Sequence, residues 1–386
     1  MKLALSLPFG AMTTATLKRT PFHKYHLEHK AKMVDFAGWD MPLLYSSIID
    51  EHKHVRTSGG LFDVSHMGRI RFKGKDARRF LDRVCTRQIL GMQDGQARYS
   101  IICNEDGGCR DDVLVYRLSD FEYLMVCNAS NREKLVEHFA NERGDLVFKM
   151  KDETLSTAMV AIQGPKVMDV IGQFSREVPT LKRYRFTQKQ LLLFKMLFSR
   201  TGYTGEDGVE VIMPAKMASK AVDLLMMKLG GKYDIVRPTG LAARDSLRLE
   251  AGMALYGHEI TEEIDPLSAG LDFAIKLDKG EADPDGVRFI GQDALQRIAS
   301  EGLARKLKGL VLEGRRSARQ GMPVMHEGKP VGEVTSGCLS PTLDKSIAMA
   351  FVPTALATEG TEVSVDLGRT TVNAQVVDLP FYKRSE

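Results

Sequence analysis

The chain has 386 residues, 43% hydrophobic and 27% charged, with a formal net charge of +4. That length exceeds the size at which one hydrophobic core stops growing, so two or three domains of ordinary soluble composition are expected. No apolar run approaches the roughly 20 residues of a membrane-spanning helix, and Lys and Arg are mixed with acids instead of forming the basic stripe that nucleic-acid binding uses. Five cysteines, an odd number, argue for free thiols in a reducing compartment: the cytoplasm, or the mitochondrial matrix for a eukaryotic source. Cys103 and Cys109 lack a second close pair to complete a zinc site, so buried, inert thiols and no metal are expected.

Met1–Ala15 reads as an N-terminal extension, with Met1 or Met12 as the start. His23, His26 and His29 recur at a spacing that drifts around a helix, which predicts a solvated face. From Val55 to about Glu153 the pattern is self-contained. Gly68-RIRFKG alternates as a strand, and Asp76–Val84 has helical spacing with Asp76 as N-cap. Arg98-YSIICN is a strand ended by the Asn104-EDGG turn, Asp112-VLVYRL and Tyr123-LMVCN pair across a short turn, and Asn131–Asn141 is an amphipathic helix. Strand, helix, strands, helix describes a ferredoxin-like α+β unit. A strand at Val160–Ile162 leads to a helix after Pro165. Leu181–Met213 adds strands, including a buried one at Leu191–Phe198, and Ala215–Leu229 is a helix. Thr239-GLAARDSLRLEAG opens a short helix carrying Arg244 and Arg248 on one face, with Arg248 and Glu250 expected to pair. After the polar connection Leu277–Gly291 and the helix Gln292–Glu301, short strands follow at 306–312, 330–335, 346–351, 362–366 and 371–378. That spacing predicts a small barrel or jelly roll.

Two places suggest chemistry. In Phe198-SRTGYTGEDGVEV, glycines at 202, 205 and 208 make a tight turn between strands, flanked by Tyr203 and Glu210. Backbone can approach a ligand closely there, and an aromatic with a carboxylate suits a flat, hydrogen-bonding heterocycle better than a phosphate. Asp111 and Asp112 open a strand after Gly107-Gly108. Alternation sends them to opposite faces, which predicts separate roles.

Together, Gly60-LFDVSHMG, Asn104-EDGGCRDD, Gly202-YTGEDGVE, Leu241-AARDSLRLEAGMALYG and Gly332-EVTSGCLSPTLDK resemble, in order, the aminomethyltransferase family of the glycine cleavage system (its T-protein). The resemblance covers roughly nine tenths of the chain. It implies a three-domain cloverleaf around a central folate cavity: residues 1–69 with 155–258, an inserted ferredoxin-like domain 70–154, and 259–386 ending in a barrel. It implies a one-carbon unit moving from the aminomethyl-dihydrolipoyl arm of the carrier H-protein to tetrahydrofolate, with ammonia, 5,10-methylenetetrahydrofolate and dihydrolipoyl carrier as products. Residue by residue, it implies Asp112 as the catalytic group. It places Tyr99, Tyr203, Glu210 and Arg244 at the folate, with Asn128, Tyr116 and Tyr382 beside them. Two rivals share the folate fold: a domain of the sarcosine- or dimethylglycine-oxidising enzymes, and a non-enzymatic protein of iron–sulphur assembly. The first expects a dinucleotide fingerprint and the second a Lys-Gly-Cys motif, and neither is present.

Overall fold

The computed structural model describes residues 16–191, 194–228, 235–281 and 286–384; the N-terminal extension lies outside them. Three sheets and a barrel make up the fold. A small sheet joins Lys18–Arg19, Trp39–Leu44 and Lys32–Phe36. A six-stranded sheet runs in the order Phe186–Leu191, Phe194–Ser199, Gly208–Pro214, Thr157–Gln163, Gly60–Asp63 and Arg237–Pro238. A five-stranded antiparallel sheet runs Ala97–Cys103, Cys109–Ser119, Glu122–Cys127, Gly68–Lys73 and Lys149–Asp152. Six strands between Arg305 and Val377 close into a barrel, which selects barrel over jelly roll.

Side-chain alternation explains how these layers stack. On one face of the five-stranded sheet, Ile70, Phe72, Val113, Val115 and Met125 pack under the helices Ala77–Val84 and Arg132–Glu142, through Phe80 and Phe139. The other face offers Ala97, Tyr116, Leu124 and Val126, which meet Phe62, Met159, Ala161 and Ile212 of the six-stranded sheet in one shared core. Helix Val167–Gly172 covers the far side of that second sheet, over Val160, Ile162, Val209 and Val211. Strand Ser346–Pro353 is buried nearly throughout. Its even residues fill the barrel and its odd ones, Ile347, Met349 and Phe351, pack outward against Ile101, Leu249 and Ile260.

Several sequence expectations change. Asp76 sits at the helix N-cap, but its carboxylate accepts the Val147 N–H at 2.8 Å and leaves the cap unfilled. Leu191–Phe198 belongs to two antiparallel strands, with 192–193 outside the described residues. Helix Ala218–Lys228 follows a 3-10 turn, and Leu229 lies outside. Strand Pro323–His326 carries no alternation signal; barrel closure creates it. His26 is buried, between Asp63 at 2.9 Å and Tyr45 Oη at 2.8 Å, not solvated. In the supposedly polar connection, Lys279 is buried and donates to the carbonyls of Asp82, Cys85 and Arg87. Arg248 and Glu250 do not pair: Arg248 binds Asp245 and Glu259, and Glu250 binds His52 and Arg56.

Candidate active site

Two facing strands do most of the positioning. In Gly208–Pro214, Ile212 lies in the core shared by the two large sheets, while Val209 and Val211 lie on the far side. The two-residue period therefore turns Glu210 toward the five-stranded sheet. In Cys109–Ser119, Tyr116 is in the same shared core and Val113 and Val115 are under the helices. Asp112 thus faces the six-stranded sheet and Asp111 faces away. Tyr99 lies on the face of Ala97 and Ile101, and Arg244 lies one turn before Leu247 of the shared core.

The convergence is electrostatic as well as geometric. Arg244 stacks its guanidinium 4.7 Å over the Tyr203 ring. Burial pushes the Arg244 guanidinium down from its ordinary value, against the pull of Tyr203 and Glu210. Burial raises the Tyr203 hydroxyl, which feels Asp112 and Arg244 and donates to the Ala254 carbonyl. The Tyr99 hydroxyl donates to Asp112 Oδ2 at 3.2 Å; burial and then the Asp112 charge push it well above its usual range. The Tyr116 hydroxyl lies buried against Ser199 and Thr201 without a well-formed hydrogen bond. Glu210 accepts from Thr201, and burial raises its carboxyl.

Glycine shapes the loop between these strands. Gly205 has a φ of 81°, open to glycine at little cost. A Cβ on Gly202 would sit 1.9 Å from Gln163 Oε1, so any side chain there would displace the buried Gln163 amide.

The structure brings Tyr99, Asp112, Tyr116, Tyr203, Glu210 and Arg244 together, with Asn128 beside Asp112. Tyr382 stands elsewhere: its ring lies 3.9 Å under the Arg56 guanidinium and its N–H donates to the Glu250 carbonyl at 2.8 Å. Sequence reasoning separated Asp111 from Asp112, yet Asn128 joins them. Its amide lies just past the end of strand Glu122–Cys127, where the pleat stops, and so reaches both faces. Asn131, expected only as part of a helix, also donates to Asp111. Phe273 was missed as well. It stacks on Tyr99 at 5.8 Å between centroids and is 58% exposed, and its 3-10 turn has no periodicity to betray it. Burial pushes His66 down to about 3, and Arg244 is among the charges facing it; its Nδ1 has no partner among the described residues.

Comparison with known proteins agrees along the chain. Residues 22–279 match the family model described as the GCVT N-terminal domain, and 305–383 match the glycine cleavage T-protein C-terminal barrel domain. A curated protein of Rubrobacter xylanophilus named aminomethyltransferase is 45% identical over 376 residues, covering 97% of this chain and 96% of its own. One from Symbiobacterium thermophilum with the same name is 42% identical, covering 95% and 98%. Among solved structures, the glycine cleavage system aminomethyltransferase T from Bartonella henselae superposes with a TM-score of 0.86 at 32% identity, covering 95% of this chain and 98% of its own.

Proposed function

The chain belongs to the glycine cleavage T-protein family and is an aminomethyltransferase, and from that premise we propose that it carries the one-carbon unit of an aminomethyl-dihydrolipoyl arm, borne by the H-protein, to tetrahydrofolate. The observation that supports the folate assignment is unfilled hydrogen-bonding capacity in a buried place. Glu210 is 7% exposed and accepts one side-chain hydrogen bond, from Thr201, while Arg244 Nη1 is buried with no partner among the described residues. A buried polar group left unpaired costs ~1–3 kcal/mol, and a ligand with N–H donors on one edge and acceptors on another removes that cost. The donor edge of a pterin matches a carboxylate, so Glu210 holds it. Arg244 supplies the cation, Tyr203 and Tyr99 supply ring faces, and Tyr116 closes the pocket.

Tetrahydrofolate, as substrate, supplies the N5 and N10 nitrogens that end up bridged. Two N–H protons leave it; one ends on ammonia and one on the released dihydrolipoyl sulfur. The protein therefore needs a group that both takes and returns protons. Asp112 has that place: Tyr99 and Asn128 hold its carboxylate in one orientation, with no cation neutralising it among the described residues. Holding both reactants in register supplies up to ~7–11 kcal/mol of the barrier reduction. The three-domain division given above, including the discontinuous first domain, belongs to the same reading. It is supported by the neighbouring of Gly60–Asp63 and Thr157–Gln163 in one sheet.

The test is 5,10-methylenetetrahydrofolate formation from tetrahydrofolate and an aminomethyl-loaded lipoyl carrier. Product and ammonia in equal amounts are expected. No product above the enzyme-free rate sinks the reading.

A further inference from the structure

One amide joins the two aspartates. Asn128 Nδ2 donates to Asp111 Oδ1 at 2.8 Å and to Asp112 Oδ1 at 2.7 Å. Asp111 also accepts the Asn128 backbone N–H at 3.0 Å and Asn131 Nδ2 at 2.6 Å, and it is fully buried. The titratable groups facing the pair are the thiols of Cys109 and Cys127 and the hydroxyls of Tyr99, Tyr203 and Tyr256. Among the described residues no Lys or Arg makes an ion pair with either carboxylate. Two neighbouring carboxylates, Asp111 buried and Asp112 half-buried, that share a donor and lack a cation cannot both ionise cheaply; the charge on one raises the proton affinity of the other.

We propose that Asp111 is a positioning residue for Asp112: linked through Asn128, the two carboxyls hold one proton between them, and Asp111 sets how readily Asp112 takes and returns a proton. The inference rests on the reading that Asp112 meets the reacting nitrogens. Burial, and then the charge of Asp112, push the Asp111 carboxyl up to about 7, and burial raises Asp112 too. The proton belongs to the pair, not to one member. Such a pair suits the transfer, because a proton taken from the acceptor nitrogen can be handed to the departing amine. The pair ends the turnover with as many protons as it began.

Two measurements test this. Carboxyl titration of the wild-type protein, labelled with 13C-aspartate, should show one aspartate midpoint near neutral pH. In Asp112→Asn the Asp111 resonance should move down by about one unit or more. In Asp111→Asn the acid limb of kcat/KM should also move down by about one unit. Its kcat should fall about ten-fold or more, with the folate KM within about three-fold. Wild-type aspartates that all titrate below about 5, or an Asp111→Asn acid limb unchanged from wild type, would overturn the proposal. If Asp111→Asn fails to fold, the wild-type and Asp112→Asn titrations decide alone. The functional reading fails separately, by an Asp112→Asn that stays active.

Discussion

Two buried charge clusters adjoin the same glycine-rich loop and differ in saturation. Around Glu250, every group is met. Its carboxylate accepts from His52 at 3.1 Å, from Arg56 at 2.8 and 3.1 Å, from Thr342 at 2.8 and 3.1 Å and from Ser340. His52 Nδ1 bonds Ser246 at 2.7 Å, and Arg56 reaches the loop through Thr204 and Glu206. That cluster ties the helices Ile48–Thr57 and Leu241–Glu250 to the barrel loop and to Tyr382. Around Tyr203, and among the described residues, Arg244 keeps an unpaired N–H, Glu210 has one side-chain donor, and the aspartates share an amide with no cation. Saturated buried networks rigidify a joint; unsaturated ones cost free energy until a ligand completes them. The difference separates a saturated joint from the proposed folate site.

The largest effect that sharpens this contrast is Asp112→Asn. Turnover should fall about 10²–10⁴-fold, the usual range for a lost general base, with folate affinity within a few-fold by calorimetry. Comparable loss from Asp111→Asn beside an active Asp112→Asn would reverse the assignment of the two aspartates. Next comes Glu250→Ala, which leaves His52 and Arg56 without their shared partner and should destabilise by ~3–5 kcal/mol in denaturant titration. A neutral outcome there would break the distinction between the clusters. Glu210→Ala and Arg244→Ala should weaken tetrahydrofolate binding by ~1–3 kcal/mol each. The stability of the unliganded protein should hold or rise, because each change removes a group the protein alone does not satisfy; unchanged affinity in both variants removes the folate assignment.

A smaller effect is set by pH. Burial opposes the Glu250 charge, but His52, Ser340 and Arg56 together hold the carboxyl down to about 2, from an ordinary 4.5. A carboxylate with a lowered folded-state value stabilises above its unfolded value and loses that contribution as the pH falls. Stability should therefore decline between about 4.5 and about 2, and this component should be missing in Glu250→Gln. The smallest effect concerns exposed charge, which belongs to neither cluster. Lys24, Lys30 and Lys32 are exposed, and Lys24 faces Glu28 at 3.5 Å. Replacing all three with Gln should raise the carrier KM modestly and flatten its salt dependence, since such charges are screened over ~8–10 Å. Salt-independent carrier kinetics in the wild type would show that these lysines do not steer docking.

Much of this was legible locally. Period-two alternation in Asp112-VLVYRL and in Val209–Met213 is enough to point Asp112 and Glu210 into one layer, once the sheets are known to face each other. The Asn104 turn closes as expected, its N–H donating to the Gly108 carbonyl at 2.9 Å. Other features had no local signature. His26 occupies a helical position that reads as solvent-facing, and its partners, Tyr45 and Asp63, lie 19 and 37 residues on. The ladder of alternation separates Asp111 from Asp112 and says nothing of an amide beyond the strand end.

What the sequence by itself determined is therefore what short-range periodicity and turn chemistry encode: the α+β and all-β segments, the glycine-rich turn, and which face each strand residue takes. The ordered motifs added the family. The tertiary structure alone decided who meets whom across long separations: Glu250 with His52 and Thr342, Arg244 with Tyr203, Phe273 with Tyr99. The physical reason is that burial and hydrogen-bond saturation are properties of the assembled surroundings. Arg244 and Arg248 are the same residue type one turn apart on one helix. Arg248 finds Asp245, Glu259 and Ser336, and Arg244 keeps an N–H with no partner among the described residues, because different chain segments pack over each.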